Sequence, residues 1–357
     1  MKIIQVCPRY YPYIGGVETH VKEISDKLVQ KGCDVEVVCT DPTGRLPKEA
    51  NINEVKVTRF RSFAPNEAFY FAPRIYTYLK KVQGNIIHAH SYHAFPALFA
   101  SIAKMDRKFI FTPHYHAYGH TFFRNLLHIP YKFIGSKIFE RSDKVICVSK
   151  YEMDLIKKNF KVSDSKLIKI PNGINLKEFD FIENIFKDYK IMLYVGRLEK
   201  YKGVQYAIEA LSELKDYHLE IIGKGPYEKE LKKLAMDLKV YDRIYFYKDL
   251  SIKELLRHYK SADVFLMLSK HEAYGITVAE ALASGTPCIV AKGSALEEFV
   301  DGKMCIGLDY PINIDKLINA ILKQTDLDNK VKSLRSSVKL QSWDEVTERI
   351  LKEVYEV

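Results

Sequence analysis

The sequence predicts an α/β protein built from two doubly wound parallel-sheet domains. The chain has 357 residues, a length that suits two domains of ordinary size. Short apolar segments of strand length alternate with amphipathic helical segments, and this alternation restarts at Ile191. A turn sequence, Pro171-Asn172-Gly173, precedes the restart, so we expect one domain over residues 1–172 and a second over 173–342.

The individual elements follow from the spacing of apolar residues. In the first domain the pattern predicts a helix over Val17–Lys31 and strands at Lys2–Cys7, Asp34–Thr40, Phe109–Thr112 and Lys144–Ser149. The last segment carries Val346, Ile350 and Val354 on one stripe, which predicts a helix over residues 343–357.

Two glutamates, Glu272 and Glu280, flank the junction between a predicted strand at Asp263–Leu268 and a predicted helix at Ile276–Ser284. The start of such a helix offers unpaired N–H groups to an anion such as phosphate. Because carboxylates repel phosphate, the glutamates suit the hydroxyl groups of a sugar or ribose instead. The junction therefore predicts a nucleotide-sugar site, although acids also occur near helix starts simply because the helix dipole favours them.

Two cations lie at a second junction of this kind. Arg197 and Lys202 follow the predicted strand Ile191–Val195 and precede a helical pattern that starts at Val204. An arginine fork and a lysine point charge together suit a diphosphate whose leaving charge must be stabilised. Solvated surface cations are the alternative interpretation.

These residues carry a resemblance to a known family. Gly196-Arg197, Lys202-Gly203 and Glu272-x7-Glu280 resemble motifs of the retaining glycosyltransferases of the GT4 family, and shorter similarities extend over nearly the whole chain. The resemblance implies the GT-B fold, in which two Rossmann-like domains face a deep cleft and a C-terminal helix crosses back to the N-terminal domain. It also implies that the N-terminal domain binds the acceptor and the C-terminal domain the nucleotide-sugar donor.

The resemblance also implies roles for single residues. Arg197 and Lys202 would stabilise the departing diphosphate, Glu272 would hold hydroxyl groups of the donor sugar, and Glu280 would hold the ribose. His114 resembles the position that contacts the donor sugar, with His116 as a close rival. The other expected donor-binding residues are Gly15, Gly16, Gly196, Gly223, Gly225, Leu250, Tyr274, Gly275, Ile276 and Thr277. Tyr274 departs from the family pattern, where phenylalanine is usual.

The activity implied is that of a hexosyltransferase (class EC 2.4). It would move mannose, glucose or a similar sugar from a UDP- or GDP-sugar to a glycan, polyprenyl-phosphate-linked or lipid acceptor, in the assembly of cell-surface glycans, glycolipids or glycoproteins. No essential cofactor and no divalent metal are expected, since protein cations take over the diphosphate charge. Six histidines from His88 to His120 could suggest a metal, but their spacing without neighbouring cysteine or carboxylate ligands is poor evidence for zinc.

Three other functions compete with this one. A catalytically silent GT-B subunit that binds sugar or a partner is disfavoured because Arg197, Lys202, Glu272 and Glu280 are all present. An NAD-dependent oxidoreductase is disfavoured because Pro8–Gly16 contains no G-x-G-x-x-G fingerprint. A sugar-nucleotide epimerase is less similar in its motifs.

The charge is uneven along the chain. Residues 1–170 hold 27 Lys and Arg against 15 Asp and Glu, whereas residues 171–357 hold 28 against 30. A basic acceptor domain would attract an anionic membrane or a phosphate-bearing lipid. The segment 115–139 mixes aromatic and basic residues, which suits either membrane contact or a core helix. We expect a cytoplasmic protein, associated with the inner face of the cell membrane, that binds no nucleic acid.

Overall fold

The computed structural model describes residues 1–65, 68–116, 122–179, 182–183, 187–326 and 339–356, with the backbone alone over 122–130. The chain divides into two compact units. The N-terminal unit comprises Met1–Gly173 and Gln341–Val357, and the C-terminal unit comprises Ile174–Leu340.

The N-terminal unit contains one eight-stranded sheet. Its strands are β1 (Lys2–Val6), β2 (Asp34–Asp41), β3 (Glu49–Ile52), β4 (Val55–Arg61), β5 (Ile86–His90), β6 (Lys108–Thr112), β7 (Lys144–Cys147) and β8 (Leu167–Lys169). They lie in the order β3-β4-β2-β1-β5-β6-β7-β8. The strand order reverses between β1 and β5, so the sheet is doubly wound, as the sequence predicts.

One strand pair departs from the predicted parallel arrangement. Strands β3 and β4 pair antiparallel at the edge of the sheet. They are joined by the two residues Asn53 and Glu54, which both have positive φ angles of 50° and 64°. Such a tight turn can connect only antiparallel neighbours.

The helices of the N-terminal unit follow the strands. They are α1 (Gly16–Gln30), α2 (Arg74–Leu79), α3 (Phe95–Ile102), α4 (Phe122–Arg141) and α5 (Lys150–Asn159). In α4 the side chains of Tyr131, Ile138 and Phe139 are buried, whereas Phe133 is 77% exposed. The described part of this helix therefore contributes to the core, and the rest of the segment predicted to mix core and membrane contacts (117–121 and the side chains of 122–130) lies outside the described residues.

The C-terminal segment packs on the N-terminal unit. It forms a helix at Trp343–Arg349, which a π-helical turn at Ile350–Tyr355 extends. Ser342 begins the helix with a capping box, in which its side chain accepts from the Glu345 N–H and Glu345 bonds back to Ser342. Gly173 permits this approach, because a Cβ there would lie 2.6 Å from the backbone nitrogen of Trp343.

The C-terminal unit contains a six-stranded, entirely parallel sheet. Its strands are β9 (Lys190–Val195), β10 (Tyr217–Ile222), β11 (Ile244–Tyr247), β12 (Val264–Met267), β13 (Cys288–Ala291) and β14 (Cys305–Leu308). Its helices are α6 (Val204–Leu211), α7 (Glu228–Asp237), α8 (Ile252–Ser261), α9 (Ile276–Ala283) and α10 (Ile314–Thr325). The strand order is β11-β10-β9-β12-β13-β14, so the direction of winding reverses between β9 and β12. The central strands are buried apolar runs, as in sheets covered on both faces.

Candidate active site

The residues singled out in the second half of the sequence gather where β9 and β12 end. These strands are neighbours, and the order of the sheet reverses between them. In open α/β sheets the loops at the carboxyl ends of two such strands form the crevice in which ligands bind. Arg197 and Lys202 come from the loop after β9, and Glu272 comes from the loop after β12.

Direct backbone contact joins these two loops. The N–H of Lys270 donates to the carbonyl of Tyr201 at 2.9 Å. Gly203 has a φ of 79°, and a Cβ at this residue would lie 2.3 Å from the carbonyl oxygen of Leu268. The glycine therefore allows an approach that any side chain would block.

Lys202 and Glu272 form an ion pair across this contact. The distance from Lys202 Nζ to Glu272 Oε1 is 2.5 Å, and the side chains are only 15% and 16% exposed. Burial by itself would lower the pKa of Lys202, but the attraction of the Glu272 carboxylate outweighs it and raises the pKa well above its ordinary value. The ammonium group is therefore charged throughout the physiological range, and it also lies 5.3 Å from the centre of the Tyr201 ring.

Arg197 occupies the exposed side of the same loop. Its Nε donates to Glu199 Oε1 at 3.0 Å, and the side chain is 46% exposed. The backbone of Arg197 is anchored to β9, because the hydroxyl of Tyr194 donates to the Arg197 carbonyl at 2.8 Å. The side chain of Arg197 is therefore accessible to a ligand, while its backbone is fixed to the sheet.

Glu280 lies one turn inside α9, as the sequence predicts. The buried hydroxyl of Tyr259 donates to Glu280 Oε2 at 2.7 Å, which fixes the direction of the carboxylate. Gly275 precedes the helix with a φ of 104°, and Ile276 and Thr277 are its first two residues. Tyr274 packs edge-on against Phe299, with ring centres 5.3 Å apart.

Three of the expected donor-binding glycines lie where backbone segments of the protein approach each other closely. Gly196 and Gly223 have φ angles of 156° and 148°, and a Cβ on Gly223 would lie 1.9 Å from the carbonyl oxygen of Gly196. A Cβ on Gly225 would lie 2.1 Å from the carbonyl oxygen of Leu198. These residues let the loops after β9 and β10 pack backbone to backbone, and their contact with a nucleotide remains a prediction.

Leu250 lies in the next loop of the same sheet edge. Its side chain is partly buried against the core of the C-terminal unit. Beside it, Asp249 pairs with Lys224 at 2.5 Å, which links the loop after β11 to the loop after β10. The expected base-binding residues are therefore neighbours along one edge of the sheet, and their contact with a base stays a prediction.

The expected glycine pair of the N-terminal unit lies at the start of α1. Glu18 folds back over this start, where a Cβ on Gly15 would lie 2.4 Å from Glu18 Oε2, and Arg9 pairs with the same carboxylate at 2.7 Å. Around Gly16 there is open space for at least 4 Å from a Cβ. Close approach of a diphosphate to this backbone stays a prediction, and such a ligand would meet the Glu18 carboxylate.

His114 belongs to a cluster with His90 and His20, and the spacing of the histidines in the sequence did not indicate it. It follows β6 with a φ of 48°, an uncommon conformation for a residue other than glycine. Its ring centre lies 4.8 Å from that of His20 in α1 and 6.2 Å from that of His90, the last residue of β5. Burial lowers the pKa of His20 to about 4 and lowers those of His90 and His114 well below the ordinary value, so all three are neutral. His116 instead stacks on His93, with ring centres 4.4 Å apart.

Comparison with known proteins identifies the family. Residues 14–178 match the family Glycosyltransferase Family 4, and residues 176–339 match Glycosyl transferases group 1. The chain is 30% identical over 345 residues to an uncharacterized glycosyltransferase of Methanocaldococcus jannaschii, which covers 89% of this chain and 87% of the relative. The chain belongs to the GT4-type glycosyltransferases of group 1.

Two further similarities agree with this membership. The glycosyltransferase is 28% identical over 334 residues to an alpha-monoglucosyldiacylglycerol synthase of Streptococcus pneumoniae, covering 87% of this chain and 75% of the relative. It also superimposes on the structure of HepE from Anabaena in complex with UDP and glucose, with a TM-score of 0.80, 16% identity and full coverage of both chains. The predicted GT-B fold and enzyme class are thereby confirmed.

Among the described residues of the glycosyltransferase, no helix is both long and apolar enough to cross a bilayer.

The first testable prediction concerns Gly223. Replacing it with alanine forces a Cβ into the carbonyl of Gly196, so we expect a loss of about 2 to 3 kcal/mol in the free energy of unfolding, in the upper range for an overpacked site. Urea unfolding without nucleotide measures it. Gly302→Ala is the matched control, because Gly302 also has a positive φ, of 73°, but nothing lies within 4 Å of its Cβ position. Equal losses in the two variants would mean that the loops do not require this contact.

Proposed function

We propose that this glycosyltransferase moves a hexosyl group from a UDP- or GDP-sugar to a glycan or lipid-linked acceptor, with retention at the anomeric carbon. The observation that carries the proposal is the Lys202–Glu272 pair at the reversal point of the C-terminal sheet. Two similarities support the substrate classes: the HepE structure contains UDP and glucose, and the streptococcal relative is named as a synthase of a glucosyl lipid.

The chemistry proposed for Lys202 depends on its charge. The bond between the anomeric carbon and the diphosphate oxygen breaks, so negative charge develops on the leaving group. A permanently charged ammonium that is already oriented stabilises that charge without reorganisation. Arg197, exposed in the same loop, supplies a second cation with a planar fork of donors for phosphate oxygens.

The acceptor then bonds to the anomeric carbon on the face that the diphosphate leaves. The hydroxyl proton of the acceptor passes to an oxygen of the departing diphosphate, so that charge and atoms balance. Glu272 has two functions in this proposal, since it orients Lys202 through Oε1 and can accept hydrogen bonds from sugar hydroxyls. Because two protein cations serve the diphosphate, we propose that the transfer needs no divalent metal.

The donor nucleotide is proposed to lie along the adjoining loops. Glu280, held by Tyr259, is suited to accept from the ribose hydroxyls. The Asp249-Leu250 turn and the backbone at Gly223 and Gly225 are proposed to line the base.

The N-terminal unit is proposed to bind the acceptor at an anionic membrane. Its sequence carries the excess of positive charge. Apolar side chains are exposed at the end of α3, in the turn after it and on α4, with Ile102 at 47%, Met105 at 58% and Phe133 at 77%. Basic residues that alternate with such side chains favour contact with anionic headgroups.

The second prediction tests the diphosphate cations. Lys202→Met and Arg197→Ala should each lower kcat by about 10² or more, because the leaving charge loses its stabilisation. Steady-state transfer assays measure the rates, and thermal unfolding checks the fold. Lys200→Met, an exposed cation of the same loop, should keep a normal rate. Normal turnover in Lys202→Met would refute the assignment.

The third prediction concerns the donor. In a thermal-shift panel of UDP, GDP, ADP, NAD and the hexose conjugates, one nucleoside diphosphate should raise the melting temperature equally with and without Mg²⁺. A ligand at a hundred times its Kd stabilises by about 2.7 kcal/mol. Glu280→Gln should reduce the shift, and Glu209→Gln, on α6 of the same unit, should not. Stabilisation by NAD alone would instead favour an oxidoreductase.

The fourth prediction concerns the membrane. Vesicles with anionic lipid should sediment the protein at low salt, and Phe133→Ser should weaken this binding. Met236→Ser is the control, because Met236 is also an exposed apolar residue, at 58%, but belongs to the C-terminal unit. If anionic vesicles do not sediment the wild-type protein at low salt, the membrane proposal fails.

A further inference from the structure

Three histidines of the N-terminal unit lie close together, and each of them has a buried ring nitrogen without a hydrogen-bond partner. One ring nitrogen from each of His20, His90 and His114 lies within 4.8 Å of the other two. Within the described part of the chain, His20 Nε2, His90 Nδ1 and His114 Nε2 are buried and have no hydrogen-bond partner. A buried polar atom without a partner is costly, so three in one place require an explanation.

The opposite nitrogens of two of these rings are already held. His20 Nδ1 lies 2.8 Å from the side-chain oxygen of Asn172, and His90 Nε2 lies 2.7 Å from the side-chain oxygen of Gln5. Because each partner is an acceptor, each of these ring nitrogens carries the hydrogen. His20 Nε2 and His90 Nδ1 are therefore lone-pair nitrogens, and this arrangement is typical of histidines that bind a metal.

The neighbouring His88 differs, because both of its ring nitrogens have hydrogen-bond partners. Its Nδ1 lies 2.7 Å from the hydroxyl of Tyr355 and its Nε2 lies 2.8 Å from the hydroxyl of Thr112. Both of its nitrogens are satisfied within the protein, although its ring centre lies 4.2 Å from that of His90. Burial and ring contact alone thus do not leave a histidine without partners in this region.

The spacing suits a single ion. With Zn–N distances of 2.0–2.1 Å and tetrahedral angles, three ligand nitrogens lie about 3.3 Å apart. The ring centres lie 4.8 Å apart for His20 and His114, 5.3 Å for His20 and His90, and 6.2 Å for His90 and His114. Small rotations of the rings would therefore bring the three nitrogens to the spacing that one ion requires. A water molecule could donate to His20 Nε2 and His90 Nδ1, whereas a cation also takes the lone pair of His114 when its Nε2 carries no hydrogen.

We propose that His20, His90 and His114 form a binding site for Zn²⁺ or a similar transition-metal ion. Neutral imidazoles suit zinc, copper, nickel and iron, whereas Mg²⁺ and Ca²⁺ prefer oxygen ligands. Three histidines leave the fourth tetrahedral position open to water or a ligand. Asn172 and Gln5 act as positioning residues, which fix the tautomers of His20 and His90.

The ion has a consequence that rests on the function proposed above. If His114 contacts the donor sugar, as the resemblance implies, an ion bound to His114 Nε2 would engage the same side chain. Zinc would then inhibit transfer, although the transfer itself needs no metal. Binding is independent of this consequence and can be measured without any transfer assay.

The fifth prediction tests binding directly. Protein stripped with a chelator should take up one Zn²⁺ per chain, measured by elemental analysis after gel filtration. Co²⁺ as a probe should give the intense visible bands of a four-coordinate site. His90→Gln and His20→Gln should each weaken Zn²⁺ binding by about a hundredfold or more, and Gln5→Leu by about 10 to 100-fold, as loss of an outer partner does elsewhere.

The controls separate the site from other histidines. His218→Gln, which changes a half-buried histidine of the C-terminal unit, should bind one ion with wild-type affinity. If a histidine variant fails to fold, Gln5→Leu still tests the site, because it leaves all three ligands in place. Substoichiometric or six-coordinate binding in the wild type, or binding that none of the variants weakens, would overturn the proposal.

A final arm separates this proposal from the transferase proposal. Added Zn²⁺ should lower the transfer rate, and a chelator should restore it. Stoichiometric binding without inhibition would retain the metal site and reject the donor contact of His114. Transfer activity with no metal uptake would reject the site and leave the proposed function intact.

Discussion

The arrangement of the C-terminal unit depends on how closely the loops at one sheet edge approach each other. Gly203 meets the carbonyl of Leu268, Gly223 meets that of Gly196, and Gly225 meets that of Leu198, each at a distance that excludes a side chain. The loops after β9, β10 and β12 thereby share backbone contacts. Only this proximity lets Lys202 and Glu272, 70 residues apart in sequence, form their ion pair. The chemistry therefore rests on the absence of side chains as much as on the charged groups.

The ion pair also explains why a cation can remain in a partly buried position without a ligand. Removing water from an ammonium group is costly, and an isolated buried lysine would shift towards its neutral form. Glu272 compensates this cost, so Lys202 stays charged and oriented. An arriving diphosphate adds a second anionic partner rather than creating the first. Arg197 differs, because its side chain is 46% exposed and its ion pair is with Glu199 of the same loop, where solvent screens the attraction.

The local spacing of apolar residues predicted the helices and strands well. The features that it did not predict depend on contacts between residues distant in sequence. The strand Lys2–Val6 and the helices Gly16–Gln30 and Ile276–Ala283 match the predictions within one residue, because buried strands and amphipathic helices have characteristic periods. The antiparallel β3 was not predicted, since Asn53-Glu54 lacks the glycine that usually marks such a turn. Gly223 and Gly225 were predicted as ligand contacts, yet their closest approach is to the protein's own backbone, which depends on strand order.

The histidine cluster also could not be predicted from sequence spacing, but strand order explains it. His20, His90 and His114 have no common spacing, and their separations of 70 and 24 residues match no short metal-binding motif. Strand order nevertheless unites them: α1 starts after β1, His90 ends β5, and His114 follows β6, while β1, β5 and β6 are consecutive in a parallel sheet. The carboxyl ends of such strands share one edge. A search for ligands in an α/β sequence should therefore compare residues at successive strand ends, because topology can bring them together where sequence spacing cannot.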